Sequence, residues 1–199
     1  MSRIQMAFLF LCGLLLGCAG GLSQSPSPHT VKSFYDLSAI SIQGQQISFS
    51  QYRGKVLLVV NTSTRCGTTP QYGDLQKLYE TYRDRGLVVL GFPSHDFGGK
   101  YTETGEEIEH FCFNRYGVTF PLFEPGHVKG ADMQEVYSFL TARCDKHIQG
   151  EVGFNFEKFL LDRSGQVRAR FGSFSGPLDS AIVAEIEKLL EQPLREHQG

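Results

Sequence analysis

Cys66 occupies a position at which a reactive thiol could form. It follows an uncharged, mostly apolar strand pattern at 56–61 and precedes a helical pattern that starts near Tyr72. A thiol beside a helix N-terminus is favoured as thiolate by the helix dipole and by free backbone N–H groups, and Arg65 acts in the same direction. The alternative is a buried structural cysteine, the commoner fate of a single Cys. Its polar neighbours favour the reactive thiol.

The remaining cysteines and the histidines narrow the chemistry. Outside the N-terminal segment the chain has Cys66, Cys112 and Cys144, an odd and widely spaced set that is not typical of a disulfide scaffold. Thr69 stands where the second cysteine of a C-x-x-C motif would lie, which disfavours a dithiol oxidoreductase. The six histidines lack metal-ligand spacing, so the sequence predicts neither a metal nor another cofactor.

The N-terminal segment predicts export and a lipid anchor. Residues 1–17 combine a basic start with an apolar stretch too short to span a bilayer, as in a secretory signal peptide. The run Leu15-Leu16-Gly17-Cys18 resembles a bacterial lipoprotein cleavage box, which implies cleavage before Cys18 and its acylation. Residues 18–30 then predict a flexible tether. The protein is therefore expected in the bacterial cell envelope, where its lipid would anchor it to a membrane.

Residues 31–192 predict one domain, followed by a short tail at 193–199. The net charge of −2 and the absence of a basic run argue against nucleic acid as a partner. The patterns predict a hairpin at 38–50, strands at 56–61, 87–92, 156–162 and 166–171, and helices at 72–85, 106–116, 133–143 and 178–190. This order favours an α/β fold with a central mixed sheet flanked by helices.

The domain resembles the glutathione peroxidase family over residues 33–190. The matching stretches are 61–72, 91–98, 107–123 and 154–162, in the family's order and spacing. The resemblance implies a thioredoxin-like fold and reduction of hydroperoxides, with Cys66 attacking the O–O bond to become a sulfenic acid. No long insertion separates Phe123 from Phe154. In this the chain resembles monomeric members, which accept bulky or lipid hydroperoxides and protein reductants.

The same resemblance assigns a role to Cys112. It lies at the position of the resolving cysteine in thioredoxin-dependent members, which implies a disulfide with Cys66 that a thioredoxin-like protein reduces. Glutathione is the alternative reductant. The helix around Cys112 would have to unwind locally for the sulfurs to meet. The alternative for Cys112 is a helical core cysteine, and Cys144 has no family role.

Asn155 matches the asparagine of the family's active site. With the backbone amides of Gly67 and Thr68, it is expected to orient and stabilise the reacting sulfur.

Two site positions depart from the family. Phe154 stands in place of a tryptophan and lacks the indole donor, and Asp96 stands in place of a glutamine. Because an ionised carboxylate only accepts hydrogen bonds, Asp96 is expected to raise the pKa of Cys66 and slow the reaction, unless it is protonated or neutralised by a neighbour. The alternative function is therefore a weakly active or non-catalytic redox sensor or relay.

Overall fold

The structure is a computed structural model that describes residues 33–98, 103–142 and 146–193. The predicted signal peptide, tether, Cys18 and Cys144 lie outside the described residues, as do residues 194–199 of the predicted tail. No helix within the described residues is long and apolar enough to cross a membrane.

A mixed four-stranded sheet forms the centre of the domain. The strands are β1 (Ser38–Ile40), β2 (Gln46–Ser48), β3 (Val56–Thr62), β4 (Leu87–Pro93), β5 (Lys158–Leu161) and β6 (Val167–Phe171). β1 and β2 pair as a separate antiparallel hairpin, and the central sheet has the order β4-β3-β5-β6. β3 and β4 are parallel, whereas β5 runs antiparallel to both β3 and β6. The predicted mixed sheet and N-terminal hairpin are confirmed.

The helices are α1 (Gln71–Tyr82), α2 (Gly105–Tyr116), α3 (Glu135–Ala142) and α4 (Ser180–Leu190). All seven residues of β3 are buried. Its alternate side chains point to opposite faces of the sheet, so that Leu58 packs in one core with residues of α1, α2 and α4, and Leu57 in a second core with residues of α3. Burial on both faces explains why the strand is almost uniformly apolar.

The predicted strand at 156–162 starts two residues late. Phe156 has a left-handed backbone with φ of 61°, which a strand cannot accommodate, so β5 begins at Lys158. Residues 154–157 instead form a turn, and this turn carries Asn155.

The topology brings the predicted site residues to one edge of the sheet. β3 and β4 are parallel neighbours, so Cys66, after β3, and Asp96, after β4, follow carboxyl ends that meet at the same edge. β5 is antiparallel to β3, so its start, preceded by Asn155, meets that same edge. Three segments distant in sequence therefore converge.

Candidate active site

The loop that carries Cys66 is held by its own hydrogen bonds. The hydroxyl of Thr69 accepts from the backbone N–H of Cys66 at 2.9 Å and donates to the carbonyl of Ser63 at 3.0 Å. The N–H of Thr69 in turn donates to the carbonyl of Cys66 at 3.0 Å. Thr69, at the position of the absent second cysteine, thus fixes the shape of the loop.

The Cys66 sulfur is partly exposed and accompanied by donors. The hydroxyl oxygen of Thr68 lies 3.0 Å from the sulfur. Burial raises the pKa of the Cys66 thiol, but hydrogen bonds from the Thr68 side chain and backbone, from the Asn155 side chain and from the Gly67 backbone outweigh it. The pKa therefore lies below that of an ordinary thiol, as a nucleophilic cysteine requires. The sequence predicted the backbone amides but missed the Thr68 hydroxyl.

Asn155 is the second distinctive group at the sulfur. Its residue is fully buried, and neither atom of its side-chain amide has a hydrogen-bond partner of standard geometry among the described residues. Leaving such an amide unpaired costs about 1–3 kcal/mol. The amide nevertheless acts on Cys66 closely enough to lower its pKa. A thiolate, or an oxygen bound at the sulfur, would satisfy the amide.

Cys112, unlike Cys66, is a buried thiol. It lies on the buried face of α2 with none of its surface exposed, and burial raises the pKa of its thiol to about 11, opposed by a hydrogen bond from Tyr72. Cys66 and Cys112 are both free thiols. The described ranges hold no group of three or more His, Cys, Asp or Glu side chains that could bind a metal ion. The site thus combines one activated thiol with one protected thiol.

The glutathione peroxidase family model matches residues 34–141. The chain belongs to the glutathione peroxidase family. It is a peroxidase of that type.

Relatives extend the match beyond that range. A glutathione peroxidase-like peroxiredoxin of Chlamydomonas reinhardtii is 44% identical over 157 residues, covering 79% of this chain and 96% of that protein. The hydroperoxy fatty acid reductase of a Synechocystis strain is 44% identical over 164 residues, again covering 79% of this chain and 96% of that protein.

Solved structures agree with this assignment. The crystal structure of Trgpx in apo form has a TM-score of 0.67 at 33% identity, covering 82% of this chain and 99% of that one. A thioredoxin-family thiol:disulfide interchange protein from Chlorobium tepidum TLS has a TM-score of 0.57 at 18% identity, covering 77% and 92%. The fold of this glutathione peroxidase relative is therefore thioredoxin-like, as predicted.

Asp96, which the resemblance places at the position of the family's glutamine, is bound by neighbouring groups. Its two carboxylate oxygens accept from His127 Nδ1 and from the backbone N–H of Val128, each at 2.7 Å. Burial raises the pKa of Asp96, but these hydrogen bonds, with one from Ser94, hold it below the usual value. The expected rise in the pKa of Cys66 does not occur, since that pKa is lowered. The exception stated for a carboxylate paired with a neighbour applies, because His127 lies against Asp96 and Asp96 raises the pKa of that imidazole.

Phe154, which the resemblance places at the position of the family's tryptophan, belongs to an apolar rim. The ring of Phe154 lies 5.7 Å from that of Phe97 and 6.2 Å from that of Phe174, between ring centroids. Phe174 is 86% exposed, so this cluster of three rings reaches the surface. Phe154 thus supplies apolar surface in place of an indole donor.

Glu103 links the Cys66 loop to the start of α2, a connection that sequence reasoning missed. Its carboxylate accepts from the Thr64 hydroxyl and, at 3.0 Å, from Nε of Arg65. The next residue, Thr104, caps α2 through its side chain. The helix that contains Cys112 is therefore tied to the loop that contains Cys66. A hydroxyl and a guanidinium side by side at Thr64 and Arg65 can both bind one carboxylate, but that carboxylate belongs to Glu103, 38 residues from Arg65 in sequence.

Proposed function

We propose that the chain reduces hydroperoxides through the thiolate of Cys66. The sulfur attacks the distal oxygen of the peroxide and the O–O bond breaks. The sulfur then carries the OH group as sulfenic acid, and the leaving oxygen takes a proton to depart as water or an alcohol. The observation that carries this proposal is the lowered pKa of a partly exposed thiol beside the Thr68 hydroxyl and the unpaired amide of Asn155.

The substrates proposed are hydrogen peroxide and organic or lipid hydroperoxides. The exposed rim of Phe97, Phe154 and Phe174 offers apolar surface to an alkyl chain. The similarity to a hydroperoxy fatty acid reductase supports the same substrate class.

For recycling, we propose that Cys112 attacks the sulfenic acid of Cys66. The new S–S bond forms as hydroxide leaves and is protonated to water, and a thioredoxin-like dithiol or glutathione then reduces the disulfide. Cys112 is buried in α2, so the helix must open locally first. Opening also removes the desolvation that raises the pKa of Cys112. The enzyme proposed is a monomer.

A second candidate function is a redox sensor or relay. It is favoured by the contrast between a partly exposed Cys66 and a fully buried Cys112. If α2 opens slowly, the sulfenic acid persists and a thiol of a partner protein can attack it, which forms a mixed disulfide and releases water. A second thiol of the partner then attacks this bond, which leaves a disulfide in the partner and returns Cys66 as a thiol.

One experiment separates these functions. The reduced full-length chain is mixed with hydrogen peroxide or a fatty acid hydroperoxide, and NADPH consumption is followed with thioredoxin and its reductase or with glutathione and its reductase. Multiple turnover that is lost in Cys66→Ser supports the peroxidase. Turnover that is absent although Cys66 consumes one equivalent of peroxide supports the sensor.

Peptide mapping after one equivalent of peroxide tests the resolving residue. A Cys66–Cys112 disulfide is expected, and Cys112→Ser is expected to stop at the sulfenic acid or its adduct. A Cys66–Cys144 disulfide would contradict the assignment of Cys112.

We also propose that Cys18 anchors the enzyme to a membrane of the bacterial cell envelope. The support is the sequence Leu15-Leu16-Gly17-Cys18 after an apolar stretch. Cys18→Ala is expected to move the protein from the membrane fraction to the aqueous phase. A wild-type protein without acyl mass would refute the anchor.

A further inference from the structure

Asn61 is a fully buried polar residue near the end of the apolar strand β3. Its side-chain amide donates to the carbonyl of Phe154 at 3.0 Å, and its side-chain oxygen accepts from the N–H of Glu157 at 2.9 Å. Its main-chain carbonyl accepts from the N–H of Phe156 at 2.7 Å. One residue therefore binds three of the four residues in the 154–157 turn.

This turn needs support from outside. Phe156 adopts a left-handed backbone with φ of 61°, which is strained for a bulky side chain. Such strain persists only where the surrounding structure fixes it. Asn61 holds the backbone on both sides of Phe156, and the Phe156 ring packs edge-on against Tyr72 with 5.3 Å between centroids.

Asn155 depends on this turn for its direction. Its side-chain amide is buried and makes no hydrogen bond of standard geometry among the described residues, although it lies near enough to Cys66 to lower the pKa of the thiol. Its orientation toward Cys66 is therefore set by the main chain at 154–157, which in turn is held by Asn61.

We infer that Asn61 is a positioning residue that acts on Cys66 through Asn155, by holding the left-handed turn that aims the Asn155 amide at the sulfur. Asn61 itself need not touch the peroxide. The inference rests on the proposed function for its consequence in catalysis, but not for its effect on the thiol.

The test is a double-mutant cycle on the full-length reduced chain. Asn61→Leu, Asn155→Ala and the double variant are alkylated with iodoacetamide over a range of pH, and the Cys66 peptide is quantified by mass. We expect each single change to raise the apparent pKa of Cys66 by about one unit, because Asn155→Ala removes the amide that acts on the thiolate and Asn61→Leu releases the turn that directs this amide. The double variant should match Asn155→Ala, because Asn61 acts through Asn155.

Gln76→Leu is the matched control. Gln76 is also a buried amide, 5% exposed, and its side chain makes two hydrogen bonds to Thr119, at 2.8 and 2.9 Å, away from the 154–157 turn. Gln76→Leu should therefore lower the thermal stability of the protein and leave the pKa of Cys66 unchanged. If Asn61→Leu fails to fold, Asn61→Thr is used. Threonine suits a strand and can keep one of the two side-chain hydrogen bonds, so a smaller shift in the same direction is expected.

Two results would overturn the inference. One is an unchanged Cys66 pKa in every folded Asn61 variant. The other is a shift of equal size in the presence and absence of Asn155, which would mean that Asn61 acts independently. Alkylation needs no peroxide, so a chain that shows the coupling but consumes no hydroperoxide supports Asn61 and refutes the peroxidase proposal.

Discussion

The Thr68 hydroxyl offers the sharpest test of how this site activates its thiol. It lies 3.0 Å from the Cys66 sulfur and can donate to the thiolate. We predict that Thr68→Val, which keeps the shape and removes the donor, raises the pKa of Cys66. A hydrogen bond to a charged group contributes about 1.5–3 kcal/mol. Since Cys66 is partly exposed and water can replace part of this, the lower end applies, which corresponds to about one pKa unit.

The kinetic effect follows from two opposing consequences. Below both pKa values, one unit lowers the thiolate fraction about tenfold. A more basic thiolate is also a better nucleophile, by about threefold per pKa unit. Thr68→Val should therefore react with peroxide about threefold more slowly at a pH below both pKa values, and about threefold faster at a pH above both.

The assay is the pH dependence of both alkylation and peroxide consumption, with the Cys66 peptide resolved by mass so that other cysteines do not interfere. Thr68→Ser keeps the hydroxyl and serves as the control. A Thr68→Val protein with an unchanged Cys66 pKa, or a Thr68→Ser protein with the same shift, would refute the reasoning.

Two further predictions concern the groups around the site. The pKa of Asp96 is lowered by folding, so this carboxylate stabilises the protein at pH values above its unfolded pKa near 4. The pKa of His127 is raised by folding, so this imidazole stabilises the protein below its unfolded pKa of about 6.5. The His127 contribution is lost as pH rises through its folded pKa. Asp96→Asn should therefore lower the melting temperature most between about pH 4 and 6.5, without raising the Cys66 pKa; an equal loss at pH 8.5 would contradict the pairing. Glu103→Gln removes its partly exposed ion pair with Arg65, which is worth at most about 1 kcal/mol and ties the Cys66 loop to α2. Because α2 should then open more readily, the Cys66–Cys112 disulfide should form up to about fivefold faster after peroxide is added. Glu106→Gln, the same change on the exposed first turn of α2, should have no such effect, and equal acceleration by both would argue against the link.

Local sequence patterns predicted the elements of this fold because each pattern reflects a local physical constraint. The apolar run at 56–61 is buried on both faces in β3, and the three-to-four spacing after Tyr72 places one face of α1 in a core. The boundary at 156 failed because the left-handed Phe156 depends on bonds from Asn61, 95 residues earlier, which no local pattern records.

Some features of the active site could likewise be predicted from the sequence, and others could not. The sequence by itself pointed to Cys66 as the nucleophile proposed here, since it lies in a polar turn between a buried strand and a helix. Order and spacing indicated the family, and the resemblance implied the proposed roles of Cys112 and Asn155. Only the tertiary structure decided the electrostatics. A carboxylate at position 96 could raise the Cys66 pKa or leave it unchanged, and the outcome depended on which groups the fold placed around each side chain. His127 and Val128 surround the Asp96 carboxylate, whereas Thr68, Gly67 and Asn155 surround the Cys66 sulfur. Because pKa depends on the direction of a few donors over about 3 Å, it follows from three-dimensional contacts and not from residue type.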